Sequence, residues 1–163
     1  MAPHFWDREV RSCRRHTEDA PAGPRAVTTP DKENLIMTRV LFVGQKPETV
    51  DFSDPSLPPG FNADKINAGI AIAKATMTDR GWDGDLCMIA PDDSGIAELS
   101  EELAKTTYEC VVIGGGLRLP PKSLALFERV VNAVHRGAPQ AAIAFNTRPE
   151  DTAEVAARWI GAH

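Results

Sequence analysis

Cys110-Val111-Val112-Ile113, followed at once by Gly114-Gly115-Gly116, is the stretch that decides the fold. A strand with one wet face would alternate apolar and polar residues. Four consecutive apolar residues closed by glycine instead have the form of a short strand buried on both faces. Three other runs repeat that form: Val40-Leu41-Phe42-Val43 ended by Gly44, Leu86-Cys87-Met88-Ile89, and Ala142-Ile143-Ala144-Phe145. Helical periodicity fills the intervals. Asn62 is placed to cap a helix running to about Arg80, with Ile66, Ile70, Ala73 and Met77 on one face and Gly81 ending it in a left-handed conformation. Asp93 or Ser94 starts a second helix carrying Ile96, Leu99 and Leu103. Pro121 suits the first turn of a third, whose stripe is Leu124, Phe127, Val131 and Val134, with Gly137 at its end. A last helix starts near Asp151, with Glu154 three residues on in a capping-box arrangement, and carries Val155, Trp159 and Ile160.

Strands that alternate with helices and are apolar throughout imply a parallel sheet covered on both faces. Right-handed crossovers then favour the order 2-1-3-4, with the first and last helices on one face and the middle two on the other. The expected fold is a three-layer α/β/α sandwich with a four-stranded parallel sheet, spanning residues 38–160. Its architecture resembles a flavodoxin-like or receiver-type sandwich shortened by one unit, and is Rossmann-like in the same sense. Architecture of this kind does not imply a function.

Composition narrows the classes. The chain has 163 residues, 42% of them apolar, which suits one ordinary domain with a real core. A net charge of −5 lacks the positive field that nucleic-acid binders need, so no nucleic-acid partner is expected. No apolar run approaches the roughly 20 residues of a membrane span, and none is read as a membrane partner. Cys13, Cys87 and Cys110 form no CxxC pair, which argues against a disulfide framework and a structural zinc site and fits a cytoplasmic protein. Residues 1–36 hold four prolines and six basic and six acidic residues without sustained periodicity. Such a segment reads as a disordered tail, and Met37 as an alternative start of a single α/β domain over residues 37–163.

Ligands of open α/β sheets bind outside the carboxyl ends of the strands, where the strand order reverses. That rule gathers Gln45 to Phe61, Pro91 to Ser94, Gly114 to Pro121, and Asn146 to Pro149. Gly114, Gly115 and Gly116 can turn backbone N–H groups toward an anion, and Arg118 can fork onto a phosphate or carboxylate. The competing reading is a tight turn at a crowded sheet edge. Lys46, Gln45, Asn146 and Arg148 should reach the same edge, with Asn146 also suited to a turn or cap. Asp92 and Asp93 offer a carboxylate pair for general-base work or Mg²⁺; capping by one and solvation of the other is the favoured reading. The 17 residues from Gln45 to Phe61 are too long for an ordinary connection. Their prolines, with Val50, Phe52, Leu57 and Phe61 wanting burial, indicate a structured flap whose acids Glu48, Asp51 and Asp54 face water.

Other candidates fall on position. His135 belongs to the far end of the sheet, and His4, His16 and His163 form no metal-ligand set. Cys87 and Cys110 lie inside strands as buried thiols. No motif names a cofactor. Two functions are therefore expected in parallel. One is a protein that binds an anionic small molecule, a phosphate- or carboxylate-bearing metabolite or nucleotide, at the strand ends. The other is a regulatory or interaction module, homodimeric through an apolar fourth strand at the sheet edge.

Overall fold

The computed structural model describes residues 37–161. The proposed tail and the alternative start at Met37 concern residues that lie outside, or at the edge of, the described ones. Four strands, β1 (Arg39–Gln45), β2 (Asp83–Ile89), β3 (Cys110–Ile113) and β4 (Ala142–Phe145), form one sheet in the order β2-β1-β3-β4. Every pairing is parallel, with Val43 opposite Cys87 and Ile113, and Ile113 opposite Phe145. The fold is the expected three-layer α/β/α sandwich of flavodoxin-like order.

The helices are α1 (Ala63–Asp79), α2 (Asp93–Lys105), α3 (Gly115–Arg118), α4 (Leu124–Gly137) and α5 (Thr152–Ala157). Strand alternation sends Leu41, Val43, Val111 and Ile113 toward α2 and α4, where they meet Leu99, Leu103, Val130 and Val134. Val40, Cys110 and Val112 point the other way, against Met77 of α1 and Val155 of α5. Phe42 packs separately with Ile70 and Ala73, and Ile66 and Met88 partly cover it. Both faces are thus closed by two long or short helices each, as the topology requires.

Several local expectations are corrected. β1 runs on through Gly44 to Gln45, and β2 begins three residues earlier than its apolar run, at Asp83. β2 is an edge strand, and its acids are paired at half-buried positions while their backbone pairs with β1: Asp83 with Arg39 at 2.6 Å, and Asp85 with the Tyr108 hydroxyl at 3.0 Å. Asp92, rather than Asp93 or Ser94, caps α2: its Oδ1 accepts from Ser94 N at 2.9 Å and Gly95 N at 3.2 Å. Pro121 opens a 3₁₀ turn, Pro121–Ser123, and α4 follows only at Leu124. No capping bond forms at Asp151; Thr152 instead donates to Pro149 O at 2.6 Å across a 3₁₀ turn. The cap of α1 is as read, with Lys65 N donating to Asn62 Oδ1 at 3.0 Å. Gly81 takes the left-handed φ of 75° that the end of α1 needs. Cys110 is buried, and Cys87 half-buried; burial pushes their thiols up to about 12 and about 11.

Candidate functional site

The two central strands end in glycine side by side. Gly114 N donates to Val43 O at 2.8 Å, and a Cβ on Gly114 would lie 3.6 Å from the Cα of Gly44. On the α1 side these bare positions are already covered. The sulfur of Met88 would stand 2.9 Å from a Cβ on Gly44, and the Phe42 ring 3.2 Å from one on Gly114. A side chain at Gly44 would displace the tip of Met88, and one at Gly114 would crowd Val43 O and the Phe42 ring. With Ile66 and Ile70, Met88 and Phe42 make an apolar floor.

Above that floor opens a cleft of about 1040 Å³. Its position is the point at which the strand order reverses between β1 and β3, as the sheet topology requires of a ligand site. The segment 46–61 forms one wall through Val50, Leu57 and Phe61, and Leu119, Pro120 and Leu126 form another. The flap is structured. Gln45 Nε2 donates to Thr49 O and Thr49 Oγ1, both at 3.1 Å. Two successive Asp-x-Ser turns follow, in which Asp51 and Asp54 accept from the Ser53 and Ser56 hydroxyls at 2.6 and 2.7 Å. These acids do not simply face water. Lys122, at the start of the opposite wall, reaches Asp54 at 2.8 Å and Asp51 at 3.3 Å. Lys122 and the serine bonds hold both carboxyls below the usual carboxylate range. Phe52, expected to be buried, is 37% exposed, and its ring lies 6.4 Å from that of Phe61 between centroids.

The residues singled out from the sequence divide into two groups. Gln45, Gly114, Gly115, Gly116, Asn146 and Arg148 all line the cleft. Lys46, Arg118, Asp92 and Asp93 do not. Lys46 turns to α2 and pairs with Glu98 at 3.0 Å. Asp92 is spent on its cap, and Asp93 pairs with Arg129 of α4. Arg118 donates to Asn146 O at 3.0 Å and lies over the Phe145 ring at 6.0 Å, so its charge faces the β4 edge.

The glycine loop is not an open nest of donors. Gly114 N is taken by Val43 O, and Gly115 N by Asn146 Oδ1 at 2.9 Å. Gly115 is there for close approach, since a Cβ would come within 2.5 Å of Thr147 O. Asn146 is 1% exposed and ties the loop down: its Nδ2 also donates to Thr152 Oγ1 at 2.9 Å. The tight-turn reading accounts for these atoms.

Two cations that the sequence reading passed over stand on the cleft, Lys65 and Lys122. Lys65 has no ion-pair partner among the described residues and sits in the first turn of α1. Its position was legible, because the helix after a parallel strand begins at the carboxyl edge where ligands bind. Arg148 makes only a long contact of 3.4 Å to Asp151. Three acids also line the cleft: Asp51 and Asp54, both paired with Lys122, and Glu150, beside Gly69 of α1. Among the described residues no group of three or more His, Cys, Asp or Glu is placed to hold a metal ion, and no helix is long and apolar enough to cross a membrane. Compared with known proteins, the chain matches no protein-family model and no curated protein.

Proposed function

We propose that this protein binds a small molecule at the carboxyl ends of β1 and β3, and that the molecule carries a phosphate or carboxylate. The observation that carries the reading is the cleft of about 1040 Å³ at the strand-order reversal, with a preformed apolar floor and a few polar groups on its rim. Lys65 and Arg148 hold the anionic group, in place of the glycine loop, whose Gly114 and Gly115 N–H groups are engaged inside the fold, and of Arg118, which turns away from the cleft to Asn146 O and the Phe145 ring. The −5 net charge and the cysteine usage fit a cytoplasmic protein that binds neither nucleic acid nor a membrane surface. A thermal-shift screen of phosphorylated and carboxylated metabolites, with and without Mg²⁺, tests the proposal. A ligand present at 100 times its Kd stabilises by ~2.7 kcal/mol, which raises the Tm of a domain this size by about 10 °C. Lys65→Ala with Arg148→Ala should remove that shift. A shift that survives both changes would place the anion elsewhere.

A second reading rests on the β4 edge. Phe145 is 42% exposed there and packs edge-on against Phe127 of α4, with ring centroids 5.7 Å apart, an apolar surface suited to a second copy of the chain. Light scattering after size-exclusion decides it: a dimer that Phe145→Lys splits, with no ligand found in the screen, would favour the interaction module.

A further inference from the structure

Gly116 differs from the two glycines before it. Gly114 and Gly115 are demanded by backbone and ring contacts at 3.1 Å and 2.5 Å from where a Cβ would stand. A Cβ on Gly116 would meet nothing within 4 Å. Nor does its backbone require glycine, because the left-handed glycines among the described residues are Gly60, Gly81 and Gly161. Within α3 glycine is locally unfavourable, costing about 1 kcal/mol against alanine in a helix interior. Packing and conformation therefore leave this glycine unexplained. Its remaining property is that it lines the cleft, exposed, and presents bare backbone where any other residue would present a side chain.

We infer that Gly116 sets the size of the group the cleft admits, and that this group is apolar. The ligand is then an anion with an extended aryl or acyl body. The body packs between the bare backbone of Gly116 and the floor of Phe42, Ile66, Ile70 and Met88, while the charged head stays at the rim with Lys65 and Arg148. The division follows from the lining itself: apolar side chains below, and a charged rim above. On that rim Lys122 is neutralised by Asp51 and Asp54, while Lys65 and Arg148, with Glu150 on the same rim, are only lightly engaged. A compact, fully hydrated anion such as free phosphate would leave the floor unused. The inference rests on the cleft being the binding site, as proposed above.

Anilinonaphthalene sulfonate has the same division, an aromatic body and one anionic group, and its fluorescence reports binding to the full chain directly. Wild type should bind it. Gly116→Phe should weaken binding at least about tenfold, the scale set by altering one hydrophobic contact in a fitted pocket. Its Tm should stay within about 2 °C of wild type, since the site is open and exposed. Gly116→Ala gives a smaller loss in the same direction and carries the test if the phenylalanine variant fails to fold. Ile66→Trp, which fills the floor from α1, is the control for the cleft. If Ile66→Trp weakens dye binding and neither Gly116 variant does, the role of Gly116 is overturned while the cleft stands. If none of the three variants alters binding, the dye sits elsewhere and the cleft reading falls. Absence of dye binding to wild type overturns the apolar-bodied ligand.

Discussion

Asn146 and Thr152 are joined by a 2.9 Å hydrogen bond, and both are essentially sealed from water at 1% and 0% exposure. The amide donates through Nδ2 while its Oδ1 accepts from Gly115 N. The threonine hydroxyl, in turn, donates to Pro149 O. One side chain thus fixes the glycine loop after β3 to the start of α5. Asn146→Ala removes both bonds and strands a buried N–H, which should cost ~2–4 kcal/mol in urea unfolding. Asn146→Asp should cost more, because it cannot donate to Thr152 and buries a charge. A loss below about 0.5 kcal/mol for the alanine variant would show that the loop is held by other contacts.

Adjacent glycines should respond oppositely to the same substitution. Gly115→Ala forces a methyl into the carbonyl of Thr147, 2.5 Å away, and backbone there cannot yield as a side-chain tip would. The expected cost is about 1–3 kcal/mol or more, as for overpacking a core. Gly116→Ala, in open space within α3, should leave stability unchanged or raise it by up to about 1 kcal/mol. Thermal melts of the two variants side by side check the pair.

Tyr108 is the only tyrosine of the chain, and its ring is fully buried. Its hydroxyl faces Asp85 Oδ2 at 3.0 Å and Glu102 Oε1 at 2.5 Å. Burial, then these two acceptors, push the phenol well above its ordinary value. The unfolded phenol releases its proton near pH 10 and the folded one does not. Stability from this group is therefore complete below about pH 10 and is lost as pH rises beyond it. Absorbance at the tyrosinate band should stay flat through pH 10 in the folded protein and rise only on unfolding. A reversible titration near pH 10 in the native state would contradict the burial.

Lys122 is the ionic tie between the 46–61 segment and the opposite wall of the cleft. Lys122→Ala should leave Tm nearly unchanged, because exposed pairs contribute little. Cleavage by proteases between residues 51 and 61 should nevertheless quicken. Acid should act the same way. Asp51 and Asp54 are held below the usual range, so their contribution is present above about pH 4 and fades as pH falls below it. Proteolysis of the lysine variant at an unchanged rate would show that Gln45, Thr49 and the serine turns hold the segment alone.

The fold was legible wherever burial was symmetrical. Cys110–Ile113 and Val40–Val43 read as strands because both faces are dry. Asp83–Asp85 did not, because an edge strand can carry acids and still pair. The short α3 was hidden by its composition, since three glycines signal a turn and only tertiary packing makes two of them helical. The cleft could be located from topology alone. What its donors do could not be read, because the partner of Gly115 N lies 31 residues away and the partner of Lys46 lies on α2, 52 residues away. Local pattern carries no information about pairings of that range.

The two sides of the sheet are unequal in mass. Toward α2 and α4 the buried side chains form one continuous cluster, from Leu41 and Leu99 to Val134. Toward α1 and α5 they fall into two, and the smaller, Phe42 with Ile70 and Ala73, is the one beneath the cleft. A region with few buried contacts opens at lower free energy than the domain as a whole. Amide protons of the first turns of α1 should therefore exchange through local openings, while those of β3 wait for global unfolding. The sandwich thus has a stiff back that keeps the architecture and a compliant front that can adjust to what lies on it, without putting the whole domain at risk.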